Sequence, residues 1–332
     1  MTDGQRLIVL ESFKKPSDTT NPYIVMLLNG LRRKCQVMTF SWRRALSGRY
    51  DVFHVHWPEI LLRSERLSRR IARRAAFSLL LVRLRSRRTP VVRTMHNLKP
   101  HEGVPLVDRW LLRRLDRLTT HWIRLNNQTP FSQDQDVTTI PLGHFRDWFP
   151  PAPNVSPDPN RLLFFGMIRP YKGIIDLVSA FEQTQKDEFH LVIIGKPNSV
   201  QLAESITQAA ANNPRITLYL EHVDDGVLAQ EIARASLIVL PYENLHNSAA
   251  LLNALSLSRP ALVPQTPTTE ELAREVGPEW VYTYRGPISP MILENALDSV
   301  GNSELTTPDL SGRDWDAVAS EHLAVFNRAV NS

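Results

Sequence analysis

Short apolar, β-branched runs alternate with helix-length amphipathic segments along the whole chain. That is the pattern of parallel sheets buried on both faces and joined by crossover helices. In the first half the runs predict strands at residues 7–13, 35–42, 51–57, 90–96, 120–126 and 137–141. Residues 150–159 then hold five prolines. Proline lacks an amide donor and disfavours helix before it, so this stretch predicts an extended linker. The pattern restarts with strands at 161–168, 189–195, 215–221, 237–241, 260–263 and 280–284. The expected division is a first domain over 1–149, a linker over 150–160, a second domain over 161–313 and a last helix over 314–332. In that helix Trp315, Val318, His322, Leu323 and Phe326 share a face suited to packing back on the first domain. The expected fold class is α/β, with two Rossmann-like domains facing each other across a cleft at the carboxyl ends of their strands.

A length of 332 residues is enough for two such cores. The single cysteine, Cys35, allows no internal disulfide and no thiolate metal cluster, which points to a reducing compartment. The longest apolar run, residues 75–82, is far short of the roughly 20 residues that span a bilayer. No basic stretch followed by an apolar run opens the sequence, so the expected location is the cytoplasmic side. The net charge of +5 conceals an asymmetry of +15 over residues 1–150 and −10 over 151–332. Arginines crowd residues 63–88 among apolar positions at helical spacing, which predicts an amphipathic helix with a basic face carrying Arg66, Arg69, Arg70, Arg73 and Arg74. Such a face suits either an anionic inner-leaflet membrane surface or plain solvent. No nucleic-acid partner is expected, because zinc-finger spacing, an RNA-recognition signature and a recognisable helix-turn-helix are all missing.

Wound sheets offer ligands the loops after their strands and the amino termini of the helices beyond. Residues 165–173 read FGMIRPYKG, with Arg169 and Lys172 three apart at a strand-to-helix turn and Gly173 permitting close backbone approach. Two fixed cations there suit a diphosphate leaving group; the alternative is a surface turn bent by Pro170. Residues 241–264, PYENLHNSAALLNALSLSRPALVP, place Tyr242, His246, Asn247 and Ser248 in a loop entering a helix. These either grip a phosphate or sugar hydroxyls or simply cap the helix. In the first half, Asn21 and Tyr23 either wall the donor side of the cleft or start a helix. A sugar-transfer reaction also benefits from a general base at the cleft mouth. HVHWPE (54–59) and TMHNLKPHE (94–102) supply three candidates, Glu59, His96 and Glu102. There is no G-x-x-x-x-G-K-[ST] loop and no G-x-G-x-x-G after the first strand. Asp134 and Asp136, like Asp314 and Asp316, match an Asp-x-Asp metal pattern by spacing only. The expected chemistry needs no metal and no cofactor.

FGMIRPYKG, the wound domain after it and PYENLHNSAALLNALSLSRPALVP together resemble the nucleotide-sugar half of GT-B glycosyltransferases. With TNPYIVMLLNGL, YDVFHVHWPEILLR, PVVRTMHNLKPHE, HFRDWF, VGPEWV and DLSGRDW, the chain resembles over nearly its whole length the xanthan-pathway family of GDP-mannose:glycolipid 4-β-mannosyltransferases. The resemblance implies a GT-B fold, no metal requirement, and GDP-mannose held by the carboxyl-terminal domain. It implies a polyprenyl-diphosphate-linked oligosaccharide, with terminal glucuronic acid as a candidate acceptor, presented to the amino-terminal domain. It also implies peripheral attachment to the inner leaflet during exopolysaccharide assembly, and inversion to a β-1,4 mannoside. Two departures separate the chain from retaining GT-B enzymes. Their Gly-Arg pair reads Gly166-Met167, with the arginine displaced to Arg169, and their two glutamates eight apart are Leu245 and Asn253. Rival readings are a GT-B transferase using UDP-glucose or UDP-glucuronate, and a non-catalytic binder of membranes or nucleic acid through the basic half.

Overall fold

The computed structural model describes residues 6–96, 104–150, 155–243, 245, 247–303 and 306–332. Two compact units emerge, one of Met1–Gly143 with Arg313–Ser332 and one of His144–Gly312.

The first unit begins with β1 (Ile8–Glu11), α1 (Pro22–Lys34), β2 (Gln36–Met38), α2 (Trp42–Ser47), β3 (Val52–Val55) and α3 (Glu59–Leu62). It continues through α4 (Leu67–Ser86), β4 (Val91–Met95), α5 (Leu106–Leu118), β5 (Thr119–Arg124) and β6 (Val137–Thr139). All pairings are parallel, in the order β2-β1-β3-β4-β5-β6. Buried Leu10, Phe53, Val55 and Val91 meet Phe77, Leu80 and Leu84 of α4 and Leu111 and Leu115 of α5 in one apolar layer. Each such side chain contributes on the order of 2 kcal/mol on leaving water. The predicted strand over 35–42 is only three residues long, because Ser41 accepts a hydrogen bond from the Arg44 amide (3.2 Å) and starts α2 instead.

The second unit holds β7 (Asp158–Phe165), α6 (Ile174–Glu182), β8 (His190–Ile194), α7 (Val200–Ala210), β9 (Ile216–Tyr219), α8 (Asp225–Arg234) and β10 (Ala235–Val239). Then come α9 (Ala249–Ser256), β11 (Ala261–Pro264), α10 (Pro267–Val276), β12 (Val281–Tyr284) and α11 (Pro290–Gly301). This sheet is also parallel, in the order β12-β11-β10-β7-β8-β9. The chain returns in α12 (Trp315–Asn331), which packs on α1 of the first unit. The two helices come close because α1 carries Gly30, where a Cβ would stand 2.9 Å from the Trp315 carbonyl oxygen.

Each predicted strand has its counterpart, and the boundaries are what shift. The units divide at Gly143, six residues ahead of the division drawn from the prolines. Residues past that point are tied into the second unit, since the Phe145 amide donates to Ser256 Oγ at 2.8 Å and Trp148 Nε1 to Asp225 at 2.9 Å. The strand after the linker starts at Asp158, so part of the expected linker is sheet, and it ends at Phe165, with Ile168 keeping only an isolated bridge to Pro197. On α12 the buried face includes Val325 and leaves Leu323 partly exposed.

Candidate functional sites at the strand ends

In each sheet the strand order reverses once, and the loops flanking that reversal leave a crevice for a ligand. In the second unit it lies between β7 and β10, whose following loops carry residues 166–173 and 240–248. Arg169 precedes a short 3₁₀ turn, Pro170–Lys172, and Gly173 follows in the left-handed region (φ 66°) before α6. A Cβ at Gly173 would come within 2.5 Å of the Pro241 carbonyl oxygen, so only glycine lets the two loops meet. The Glu243 amide, donating to the Tyr171 carbonyl at 3.0 Å, ties them together. Lys172 Nζ donates to the Tyr242 hydroxyl at 3.1 Å and lies 4.6 Å from the centre of that ring. Burial, reinforced by the charge of Arg169, lowers the Lys172 ammonium to about 8. Burial likewise pushes the Tyr242 phenol above its ordinary range. Arg169 is half-buried, with Nη2 3.4 Å from Met167 Sδ.

The structure thus brings Arg169, Lys172, Gly173 and Tyr242 together. Ser248 serves as the N-cap of α9, accepting from the Leu251 amide at 3.1 Å, with Asn247 just before it. His246 lies outside the described residues. Leu245 is buried, and the buried amide oxygen of Asn253 in α9 has no hydrogen-bond partner among the described residues.

In the first unit the reversal lies between β1 and β3, and there a buried polar network sits at the carboxyl ends of three strands. Glu11 ends β1 in register with His54 of β3, and His54 Nδ1 lies 3.0 Å from Glu11 Oε1. His54 Nε2 is 2.9 Å from Thr94 Oγ1 of β4. His56, two residues along, places Nε2 3.3 Å from Glu11 Oε2 and Nδ1 2.9 Å from His96 Nε2. The His96 ring stacks on Trp57 at 3.9 Å, and Tyr23 meets it edge-on at 5.0 Å. Trp57 adopts φ 41°, a conformation that a bulky residue holds only when its surroundings impose it. His322 of α12 completes the cluster, its ring 5.6 Å from that of His54 and its Nδ1 donating to the Val318 carbonyl at 2.7 Å.

Charge in this pocket is strongly biased. Burial alone would raise the Glu11 carboxyl, but the charge of His54 and hydrogen bonds from both histidines outweigh it and hold it at about 2. Burial, then the charge of His54, pushes His56 down to about 4. Burial and His54 likewise push His322 to about 3. His96 keeps a partly exposed edge, yet burial and the neighbouring imidazoles hold it well below its usual value. Burial and the Glu11 charge raise the Tyr23 phenol.

Glu11, His54 and His56 offer ligand atoms within 4.8 Å of one another, a set of a type that binds zinc. All three are fully enclosed and already engaged with one another, with Thr94 and with His96. The set reads as a hydrogen-bonded network.

Of the other expected residues, Asn21 is the N-cap of α1, accepting from the Tyr23 amide at 3.0 Å. Glu59 opens α3, and its charge bears on Arg93. Glu102 lies outside the described residues. Arg66 and Arg69 are exposed, whereas Arg74 pairs with Asp108 at 2.6 Å and Arg73 donates to the Arg63 carbonyl. Arg70 has a buried Nε without a hydrogen-bond partner among the described residues. The two Asp-x-Asp pairs have structural uses, since Asp136 meets His121 at 2.9 Å, Asp314 caps α12 and Asp316 pairs with Lys34 at 2.7 Å. The sequence reading passed over Glu11, His54 and His56. A carboxylate ending a fully apolar strand and two histidines on one face of another were the available signal.

Residues 146–283 match the family described as Glycosyl transferases group 1. The chain is 42% identical, over 98% of its length and 93% of the relative's, to the GDP-mannose:glycolipid 4-β-D-mannosyltransferase of Xanthomonas campestris pv. campestris. The chain is a glycosyltransferase of that family. Its fold is that of the GT-B glycosyltransferases. Sucrose-phosphate synthase from Thermosynechococcus elongatus superimposes with a TM-score of 0.64 at 16% identity, covering 98% of this chain and 99% of that one. The catalytic domain of starch synthase IV from Arabidopsis thaliana, solved with ADP and acarbose, gives 0.70 at 10% identity, covering 99% and 100%. The family match of this glycosyltransferase falls on the second unit and includes both loops at its reversal, whereas the likeness to the mannosyltransferase runs through both units.

Proposed function

We propose that this glycosyltransferase moves mannose from GDP-mannose to a hydroxyl of a polyprenyl-diphosphate-linked oligosaccharide in exopolysaccharide assembly. The reaction inverts the anomeric centre, forms a β-1,4 linkage, uses no metal, and takes place at the cytoplasmic face of an anionic membrane. The observation that carries this reading is the 42% identity to a GDP-mannose:glycolipid 4-β-D-mannosyltransferase, extending beyond the nucleotide half. The chemistry of the two crevices supports it. The acceptor oxygen bonds to C1 of mannose as the bond from C1 to the diphosphate oxygen breaks, and the electron pair leaves with GDP. Lys172 and Arg169 meet that growing charge. The acceptor proton passes to His96, the imidazole that stacks on Trp57 and keeps a partly exposed edge at the strand ends. His96 is preferred to Glu59 because it belongs to the buried network at the strand ends, 2.9 Å from His56 and stacked on Trp57.

The test is incubation with lipid extract from the producing cell and, in parallel, GDP-mannose, UDP-glucose or UDP-glucuronate, followed by NMR of the lipid-linked product. Transfer of mannose alone with a β anomeric signal is expected. An α product, or faster transfer from either UDP-sugar, refutes the assignment. In the same assay His96→Gln should lose at least about a hundredfold in turnover, and Glu59→Gln much less.

A further inference from the structure

The charged helix singled out in the sequence has a second feature, formed with its neighbour. Between the carboxyl-terminal halves of α4 and α5 lies a groove of 440 Å³, a size suited to a small ligand. Arg85, Arg114 and Arg117 line it, together with apolar Val82, Trp110 and Leu118. Among the described residues none of these three arginine side chains makes an ion pair or hydrogen bond; Arg114 only stacks over Trp110, 4.0 Å from its ring centre. The contrast with Arg73 and Arg74, which are spent on internal partners, is direct. Along the same two helices Leu79 (60% exposed), Val82 (65%), Leu106 (72%) and Trp110 (48%) offer apolar surface to solvent.

We propose that this groove is a binding site for an anionic glycerophospholipid of the bilayer. The headgroup phosphate sits among the three guanidinium groups, whose planar donors match phosphate oxygens. The acyl chains continue along the exposed apolar side chains, with Trp110 at the level where amphipathic rings favour a membrane interface. Crossover helices run antiparallel to their strands, so the carboxyl-terminal halves of α4 and α5 lie toward the amino ends of the sheet. The histidine network is at the opposite, carboxyl end. This separation favours a resident bilayer lipid over the acceptor undergoing reaction. The proposal rests on the membrane part of the function proposed above and supplies it with a specific lipid site.

The test is co-sedimentation of the full chain with phosphatidylcholine vesicles, with and without phosphatidylglycerol. It compares the wild type with R114Q/R117Q and with R32Q/R33Q, which removes the same charge from the exposed last turn of α1. Binding that needs phosphatidylglycerol is expected, falling about thirtyfold in R114Q/R117Q and little in R32Q/R33Q, since each basic residue at such a surface contributes on the order of 1 kcal/mol. Equal losses in the two variants overturn the groove while leaving the membrane reading intact, and absence of binding to either vesicle overturns both. Stronger retention on vesicles of equal charge carrying polyprenyl phosphate assigns the groove to the acceptor and overturns the proposal. Thermal unfolding of each variant within about 2 °C of wild type excludes misfolding as the cause of a loss.

Discussion

Lowering the pH from 7 to 5 should destabilise the first unit by about 4 kcal/mol through His56 and His322 alone, with His96 adding loss in the same direction. His56 titrates at about 4 and His322 at about 3 in the fold, against 6.5 for an exposed imidazole. Both are depressed, so the unfolded chain takes up protons below pH 6.5 while the folded chain refuses them. Stability present above pH 6.5 is therefore lost progressively as the pH falls towards the folded values. Over the span from pH 7 to 5 each group gives up about 1.4 pK units of differential protonation, or about 2 kcal/mol. Glu11, held at about 2 instead of 4.5, adds loss in the same direction below pH 4.5. Urea unfolding followed by tryptophan fluorescence at pH 7, 6 and 5 measures this, provided the slope with denaturant stays constant. His322→Phe offers a control of similar shape, because Nδ1 bonds only a helix carbonyl and Nε2 has no partner among the described residues. The variant should lose about 2 kcal/mol less than the wild type over the same span. An unchanged midpoint in the wild type, or equal losses in wild type and variant, would refute the assignment of these histidines as neutral buried groups.

The second unit makes its own predictions. Gly173→Ala forces a Cβ against the Pro241 carbonyl at a positive φ, so its melting temperature should fall by several degrees, a cost of about 1–3 kcal/mol, as differential scanning fluorimetry would read; no change would mean that the two loops do not meet. Lys172→Met should cut turnover by about 10²–10³ with little change in melting temperature. Wild-type kcat/KM, which reports the free enzyme, should decline as the pH rises through about 8, where the ammonium loses its proton; a decline of the same shape in Lys172→Met would place that titration on another group.

The sheets were legible because their strands are enclosed on both faces. Runs such as Leu162–Phe165 and Leu191–Ile194 have no polar side to confuse the reading. Ends were less legible, since caps depend on single hydrogen bonds: Ser41 closes one expected strand early, and Asp158 lies within the proline-rich stretch yet pairs with Ala235 in the sheet. The cationic loop after β7 was readable from FGMIRPYKG, because the strand, the turn and the charges are contiguous. The histidine network was not, since Glu11, His54, Thr94, His96 and His322 are gathered from β1, β3, β4 and α12 and become neighbours only through parallel pairing and the return of the last helix. Helical spacing located the basic stretch over residues 63–88 but could not tell Arg74, committed to Asp108, from Arg85, which makes no ion pair among the described residues.

The same physics explains why two sheets of one architecture carry opposite chemistry. Both reverse strand order once and so present a crevice, but the residues that end the flanking strands differ. In the first unit a carboxylate and imidazoles close on one another in a buried network. The second unit places a lysine where burial and a neighbouring arginine make its positive charge costly. A bound diphosphate relieves that cost, because its negative charge restores what desolvation removed. The acidic character of residues 151–332 does not oppose such binding. At physiological salt, charges beyond about 8 Å are largely screened, and the cations at the strand end dominate the field that an anion meets there.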